Sequence, residues 1–376
     1  YLLLYFEENY GLTVEKKIID AVAVIANENR YHPVCDFLNA LQWDGTERIR
    51  FCLHRFLGSD TDDYTYEALK LFLLGAISRA FKPGCKFEVM LCLVGGQGAG
   101  KSSFFRLLAV NDDWFSDDLK KLDDENVYRK MQGHWIIEMS EMIATANAKS
   151  IEEIKSFLSR QKETYKIPYE THPADRKRQC VFGGSSNTLD FLPLDRTGNR
   201  RFVPVMVYPE RAEVHILADE QASREYINQM WAEAMEIYRS GNFRLRFSPA
   251  MNDYLKAHQK DFMPEDTKAG QILDYLERYS GSMVCSKQLY KEALGHDYDE
   301  PKQWELREIN DIMNNAVTGW MAFSNPRYFP EPYRRQKGWE RIRNDNEPDN
   351  SMDGFQEIPT EEMEQLGLPE EWLKQK

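Results

Sequence analysis

The sequence contains neither a paired-cysteine motif nor a long hydrophobic run. Its six cysteines are scattered over 376 residues without a CxxC spacing. We therefore predict no zinc site, no disulfide framework and a reducing, cytoplasmic location. Apolar runs are short, such as Leu71–Leu74, whereas a membrane-spanning helix needs about 18 apolar residues. The chain begins at Tyr1 rather than at methionine, so we expect a piece of a longer protein.

An excess of basic residues is missing as well, since 61 acidic residues outnumber 48 Lys and Arg and give a net charge of −13. Much of the negative charge lies in residues 345–376, which hold ten Asp or Glu and two Lys. Basic clusters remain at Arg176–Arg178 and between Arg334 and Arg343. The net charge therefore does not exclude a nucleic-acid partner.

A glycine-rich segment follows an apolar run and resembles a phosphate-binding loop. Val89–Val94 predicts a buried strand, and a helix is predicted to follow from Ser103. Backbone N–H groups of such a loop converge on phosphate oxygens, Lys101 reaches the β and γ phosphates, and the Ser102 hydroxyl binds Mg²⁺. This context favours a site for a nucleoside triphosphate and Mg²⁺ over a plain glycine-rich turn. The predicted nucleotide-binding residues are Gly95, Gly96, Gln97, Gly98, Ala99, Gly100, Lys101, Ser102 and Ser103.

Four segments of the chain differ in the spacing of their apolar residues and in their charge. Residues 1–84 have apolar positions at helical spacing and predict an all-α N-terminal domain. Residues 85–247 alternate short strands with helices, which predicts an α/β core with a parallel sheet covered on both faces. Residues 248–343 read as three helices followed by a β hairpin, which indicates a winged helix or, alternatively, an oligomerising helical cap. Residues 344–376 are acidic and polar, so we expect a disordered tail.

Side chains suited to nucleotide hydrolysis follow or precede the predicted strands of the core. Those strands are Val89–Val94, Trp114–Phe115, Trp135–Met139, Gln179–Gly183 and Arg201–Val207. Glu138 and Glu141 lie near the end of the third strand and supply acids for Mg²⁺ and for the attacking water, with the two roles unassigned. Asn187 follows the fourth strand. Arg200 and Arg201 precede the fifth, where a guanidinium can stabilise phosphoryl charge or form a surface ion pair.

Taken together, these motifs resemble the virulence-associated protein E family of phages and mobile genetic islands over roughly residues 30 to 245. The segments that carry the resemblance are His32-Pro33, Phe37–Leu41, Trp43–Gly45, Pro83–Lys86, Gly95–Ser102, Glu138–Glu141, Ile154–Arg160, Tyr165–Tyr169 and Thr197–Phe202. The family core is similar to superfamily 3 helicases of the AAA+ group. The resemblance implies a five-stranded parallel sheet and a ring of six subunits with ATP at each interface.

The same resemblance implies roles for individual residues. Lys101 and Ser102 are the Walker A residues and Asn187 is the sensor asparagine. Arg200 or Arg201 is the finger that acts across the interface. The third strand departs from the usual adjacent acidic pair, because Met139 follows Glu138 and Ser140 precedes Glu141. The resemblance favours Glu141 as the strand-end acid, whereas the count of apolar strand residues favours Glu138.

A hairpin in the position of Tyr165–Arg178 lines the ring channel in helicases of this type and grips one DNA strand. The predicted DNA contacts are Lys166, His172, Lys177 and Arg178. The preferred hypothesis is an ATP-dependent replicative DNA helicase that translocates on single-stranded DNA and acts on forks. The alternative is an ATP-gated DNA-binding initiator that recruits host replication proteins without unwinding. A small-molecule P-loop kinase fits less well with Asn187 and the arginine pair.

Overall fold

The computed structural model describes residues 1–119, 122, 127–140, 148–165, 174–194 and 199–342. The chain divides into two compact units, Tyr1–Glu265 and Asp266–Lys376. The predicted acidic tail, residues 344–376, lies outside the described residues.

The first unit consists of helices packed on a central sheet. Its helices are α1 Leu2–Tyr10, α2 Glu15–Glu28, α3 Pro33–Ala40, α4 Ile49–Leu57, α5 Asp63–Phe81, α6 Lys101–Leu108, α7 Val127–Met131, α8 Ala148–Leu158, α9 Glu220–Ser240 and α10 Pro249–His258. Its strands are β1 Met90–Val94, β2 Phe115–Ser116, β3 Ile136–Ser140, β4 Lys162–Tyr165, β5 Ala174–Lys177, β6 Val181–Ser186 and β7 Phe202–Met206. Short 3-10 helices lie at Asp112–Trp114, Pro209–Arg211 and Gln259–Phe262.

Five of these strands form one parallel sheet in the order β2-β3-β6-β1-β7. All five residues of β1 are buried, as expected for a parallel strand with both faces covered. Alternate β1 residues join two apolar clusters. Leu91 and Leu93 face a cluster with α5, α6 and α9, whereas Met90, Cys92 and Val94 face one with α8. The predicted five-stranded parallel α/β core is confirmed.

The N-terminal helices α3 to α5 share a core with the sheet. Leu38 of α3 and Phe72 of α5 are fully buried in the same apolar cluster as strand residues of β1, β6 and β7. The Trp135 indole, next to β3, donates a hydrogen bond of 3.0 Å to the Ala76 carbonyl of α5. α10 belongs to the same unit. The predicted domain boundaries at residues 84 and 247 stay predictions. Apolar helical spacing predicts the helices but not which surface they bury against.

The second unit combines helices with short antiparallel strands, and the predicted winged helix stays a prediction. Its helices are α11 Thr267–Arg278, α12 Ser286–Gln288 and α13 Gln303–Asn315, with a π-helical turn at Leu289–Ala293. Its strands are β8 Met283–Cys285, β9 Trp320–Ala322, β10 Arg327–Phe329, β11 Arg334–Gln336 and β12 Gly338–Arg341. β8, β12 and β9 form an antiparallel sheet in that order, and β10 pairs with β11 as a separate hairpin. The sequence predicted the three helices and strands near β9 and β12, but not β8, β10 or β11.

Close packing of α6 on the sheet depends on a glycine in β6. A Cβ atom at Gly183 would lie 2.4 Å from the ring of the fully buried Phe105. We expect Gly183→Ala to destabilise the protein by about 1–3 kcal/mol, because the ring cannot move without displacing α6. Thermal unfolding followed by circular dichroism measures this effect.

The matched control is Gly270→Ala in α11, where the added methyl group meets open space. Since alanine is the better helix former by about 0.5–1 kcal/mol, this variant is expected to melt at or above the wild-type temperature. Equal melting temperatures for Gly183→Ala and wild type would contradict the packing argument.

Candidate nucleotide-binding site

A glycine-rich loop joins the end of β1 to the start of α6. Gly98 and Gly100 have φ angles of +80° and +79°, a left-handed conformation that glycine adopts without strain. Gly95 passes close to the neighbouring chain, since a Cβ atom there would lie 2.5 Å from the Val207 carbonyl oxygen. The loop ends at Gly100, the N-cap of α6. Its shape is therefore that of a cradle whose backbone N–H groups suit a phosphate chain at a helix N-terminus.

The Lys101 ammonium lies inside this loop. Its Nζ donates hydrogen bonds to the carbonyls of Gly95 and Gly96, both at 2.7 Å, and to Asn187 Oδ1 at 2.9 Å. Three acceptors match the three N–H donors of an ammonium group. Burial lowers the pKa of Lys101 below its ordinary value, although the Glu138 carboxylate opposes this shift. The structure thus brings together Lys101 and Asn187, two residues predicted from separate motifs.

Glu138 is fully buried beside the loop. Its Oε1 accepts hydrogen bonds from Ser102 Oγ at 2.7 Å and from Ser185 Oγ at 2.6 Å. Its Oε2 is also buried and has no hydrogen-bond partner among the described residues. Burial raises the pKa of Glu138 above its ordinary value. The two serine hydrogen bonds and Lys101 oppose this shift, while Asp117 adds to it.

The oxygen atoms around Glu138 fit Mg²⁺. Mg²⁺ prefers oxygen ligands and is often held by one or two protein groups together with substrate phosphates. Ser102 Oγ and the unpaired Oε2 of Glu138 provide two such groups at the loop that would hold the phosphates. In the described part of the chain, no group of three or more His, Cys, Asp and Glu could hold a metal ion by itself. The donor set therefore matches a metal shared with a nucleotide.

The second predicted acid, Glu141, lies outside the described residues. Glu138 occupies the middle of β3 rather than its end, yet its side chain reaches Ser102. This placement favours Glu138 as the metal-holding acid. The role of Glu141, whether as the acid for Mg²⁺ or as the acid for the attacking water, stays a prediction.

Arg200 and Arg201 lie at the opposite edge of the sheet from the loop. They directly precede β7, which runs parallel to β1, and the Arg201 carbonyl accepts a hydrogen bond from the first β1 residue, Met90, at 2.7 Å. The loop begins directly after β1. At roughly 3.3 Å per residue, its first residue, Gly95, lies about 16 Å along the strand from Met90. Within one chain, these arginines and the loop therefore lie at different edges of the sheet.

Both arginines contact Glu88. Arg200 Nη2 lies 3.0 Å and Arg201 Nε lies 3.4 Å from its carboxylate oxygens. Ser159 Oγ accepts from Arg201 Nε at 2.9 Å and donates to Glu88 at 3.0 Å. Burial would raise the pKa of Glu88, but Arg201, the Ser159 hydrogen bond and Arg200 together lower it below its ordinary value. The Arg200 side chain remains 68% exposed, which leaves it accessible to another molecule.

The predicted hairpin is present, but one of its predicted DNA contacts is not available. β4 and β5 pair as antiparallel strands, and Lys166 and His172 lie outside the described residues. Lys177 is exposed. Arg178 is buried, forms an ion pair with Glu163 and stacks on Phe157 with its guanidinium 4.6 Å from the ring centre. This is a correction to the predicted DNA contact at Arg178, because the guanidinium has a partner inside the protein.

Three residues that position the predicted site were not predicted from the sequence. Ser185 orients Glu138, and Glu88 and Ser159 hold the arginines. Ser185 lies in the small-residue run before Asn187, a signal that could have identified it. Nothing in the sequence around Glu88 or Ser159 indicates their contact, since these residues are distant along the chain.

A family model for the virulence-associated protein E-like domain matches residues 38–264, more than half of the chain. The chain belongs to this family. The resemblance predicted from the sequence motifs is therefore confirmed, and the P-loop core described above is that of a virulence-associated protein E-like domain.

Solved structures of the NrS-1 C-terminal region are similar to this virulence-associated protein E-like domain. Three apo structures of that region share 13%, 14% and 14% sequence identity with it, with TM-scores of 0.46, 0.49 and 0.45. Each comparison covers 81% of this chain and 78% of the other. No curated protein matches the sequence. No helix in the described residues combines the length and apolar character needed to cross a bilayer.

Burial of the Glu138 carboxyl predicts that the stability of the folded protein depends on pH. Its raised pKa means that the folded protein loses stability as the pH rises through that pKa, because a buried charge then forms. We expect Glu138→Gln to melt about 2 °C or more above wild type at pH 8 in EDTA, with a smaller difference at pH 5. Thermal unfolding at the two pH values measures the difference.

The control is Glu236→Gln, which removes an exposed carboxyl paired with Arg239 at 2.8 Å. Its melting temperature is expected to track wild type at both pH values. A Glu138→Gln variant that melts below wild type at pH 8 would refute the interpretation that the buried Glu138 charge destabilises the folded protein.

Proposed function

We propose that this protein is a Mg²⁺-dependent ATP hydrolase that works as a ring, with six subunits, and translocates on single-stranded DNA to unwind forks. The observation that carries the proposal is the convergence of Lys101, Asn187, Ser102 and Glu138 on one glycine loop. A motif match alone fits many nucleotide-binding proteins. The added asparagine and buried acid supply what hydrolysis requires beyond binding.

Each residue has a distinct task in this proposal. The loop N–H groups and Lys101 bind the phosphates, and Ser102 with Glu138 holds Mg²⁺, which neutralises phosphate charge when bound. Asn187 lies 2.9 Å from the Lys101 ammonium, close enough to orient a water molecule toward the γ phosphate. Glu141 accepts the proton from that water.

The arginine positions support assembly. A guanidinium that stabilises the transferred phosphoryl group is worth about 10³-fold or more in rate. Arg200 and Arg201 lie at the far edge of the sheet from their own loop, and Arg200 is exposed. An arginine so placed serves the nucleotide of a neighbouring subunit, so the complete site lies between two copies.

The hairpin supports a DNA partner. In the sequence, Lys166 and His172 follow β4 and precede β5. Lys177 is exposed at its base and forms no ion pair with another described residue. Basic side chains on a hairpin suit the backbone of single-stranded DNA.

The first test compares ATPase activity with and without single-stranded DNA and adds a forked-duplex unwinding assay. DNA-stimulated hydrolysis with unwinding is expected for wild type. Lys101→Ala and Arg200→Ala are each expected to lose hydrolysis by about 100-fold or more. Arg239→Ala, which removes another exposed arginine paired with a carboxylate, is the control and should stay within about twofold. Hydrolysis without unwinding would favour the DNA-binding initiator that recruits replication proteins.

A mixing experiment tests whether the arginine acts between subunits. Lys101→Ala subunits retain the arginine and Arg200→Ala subunits retain the loop, so a mixed ring contains some complete sites. We expect the mixture to regain hydrolysis that neither variant shows alone. An inactive mixture in which gel filtration shows mixed rings would contradict an arginine shared between subunits.

A further inference from the structure

A cavity of about 660 Å³ opens at the strand-start edge of the sheet, away from the glycine loop. Its lining includes Trp114 just before β2, Trp135 just before β3, and residues at the base of the β4–β5 hairpin. Because the strands are parallel, this is the edge opposite the loop that follows β1. The cavity is therefore separate from the nucleotide-binding site, and its volume is that of a small-ligand pocket.

Aromatic rings line the cavity. Tyr31 is 79% exposed, so its ring is accessible at the rim. Trp114 is half-buried and packs against Phe37 and Trp135, with ring centres 6.0 Å and 6.4 Å apart. Tyr128 accepts a hydrogen bond from Arg160 at 2.8 Å. The exposed Tyr31 ring, together with the Trp114 and Tyr128 rings that neighbouring side chains hold in position, offers a surface for stacking flat groups.

The polar lining carries an excess of positive charge. The two acidic residues of the described lining are both paired: Glu163 with the buried Arg178, and Asp175 with Lys162. Lys177 is exposed, and no described residue forms an ion pair or hydrogen bond with its ammonium. The result is a cationic group beside the stacking surface.

A polar ring nitrogen also lies in the cavity wall. His134 Nδ1 is buried and has no hydrogen-bond partner within the described ranges. A buried nitrogen without a partner costs free energy unless a ligand or water bonds to it. The wall thus offers a hydrogen-bonding group next to the aromatic rings.

We propose that this cavity binds unpaired bases of single-stranded DNA, an inference that rests on the proposed function. Aromatic stacking together with a basic group is the combination that single-strand binders use, since every base has a flat face and every nucleotide a phosphate. Tyr31 and Trp114 stack on a base, Lys177 contacts the adjacent phosphate, and His134 bonds to a base edge. The opposite charge pattern, with unpaired acids, would have excluded such a ligand.

The position of Lys177 connects the cavity with the hairpin. Lys177 is the last residue of β5 and pairs with Lys162, the first residue of β4. A strand that passes the hairpin can therefore place a base in the cavity at the hairpin base. DNA and ATP occupy opposite edges of the sheet, so we expect them to bind without competition.

Fluorescence anisotropy in EDTA without nucleotide tests the proposal, because it does not depend on hydrolysis. Two labelled probes of about 12 nucleotides are compared, one of thymidines and one abasic with the same phosphates. Wild type is expected to bind the thymidine probe about fivefold or more tightly than the abasic probe. Tyr31→Ala should reduce this preference to about twofold or less, whereas Lys177→Ala should weaken both probes similarly.

The controls are Tyr10→Ala and Lys256→Ala, which remove exposed residues of the same types elsewhere in the first unit. Both are expected to bind the two probes like wild type. A Tyr31→Ala variant that keeps the full preference for bases would overturn the cavity assignment, even if DNA stimulates the ATPase. Conversely, loss of the preference in Tyr31→Ala without any DNA-stimulated hydrolysis in wild type would support the cavity and contradict the motor. Failure of wild type to bind either probe would overturn both.

Discussion

The fully buried carboxylate of Glu138 lies where three elements of the core meet. It comes from β3 and accepts hydrogen bonds from Ser102 at the start of α6 and from Ser185 in β6. Burying a carboxylate is unfavourable unless its oxygens are bonded to donors or to a cation, and one oxygen has no partner among the described residues. Through these two hydrogen bonds, Glu138 joins the start of α6 to β3 and β6.

The two ends of the parallel strands carry different sets of functional side chains. Lys101, Asn187 and Glu138 converge at the edge where β1 and β6 end. The opposite edge carries the arginine pair, the hairpin base and the aromatic cavity. There Ser159, three residues before β4, bonds both to Arg201 and to Glu88. A hydrogen-bond network therefore joins the arginine pair to the chain that enters the hairpin.

Local patterns predicted the elements well and the long-range contacts poorly. The five strands were located within one to three residues, because apolar runs bounded by glycine and polar residues are local signals. The pairing of Lys101 with Asn187 followed from the rule that parallel strands end at one edge. The burial of Arg178 could not be predicted, since it depends on Glu163 and Phe157 lying across the hairpin base. A charged residue in a basic cluster has the same local pattern whether it is solvated or paired.

The most direct test is the structure of the protein bound to Mg²⁺ and a non-hydrolysable ATP analogue. We predict that the Lys101 ammonium contacts the β and γ phosphates, that Ser102 and Glu138 lie around the metal, and that Arg200 or Arg201 of a neighbouring copy approaches the γ phosphate. A nucleotide bound elsewhere, or Lys101 still bonded to the Gly95 and Gly96 carbonyls beside the bound analogue, would contradict the proposed site.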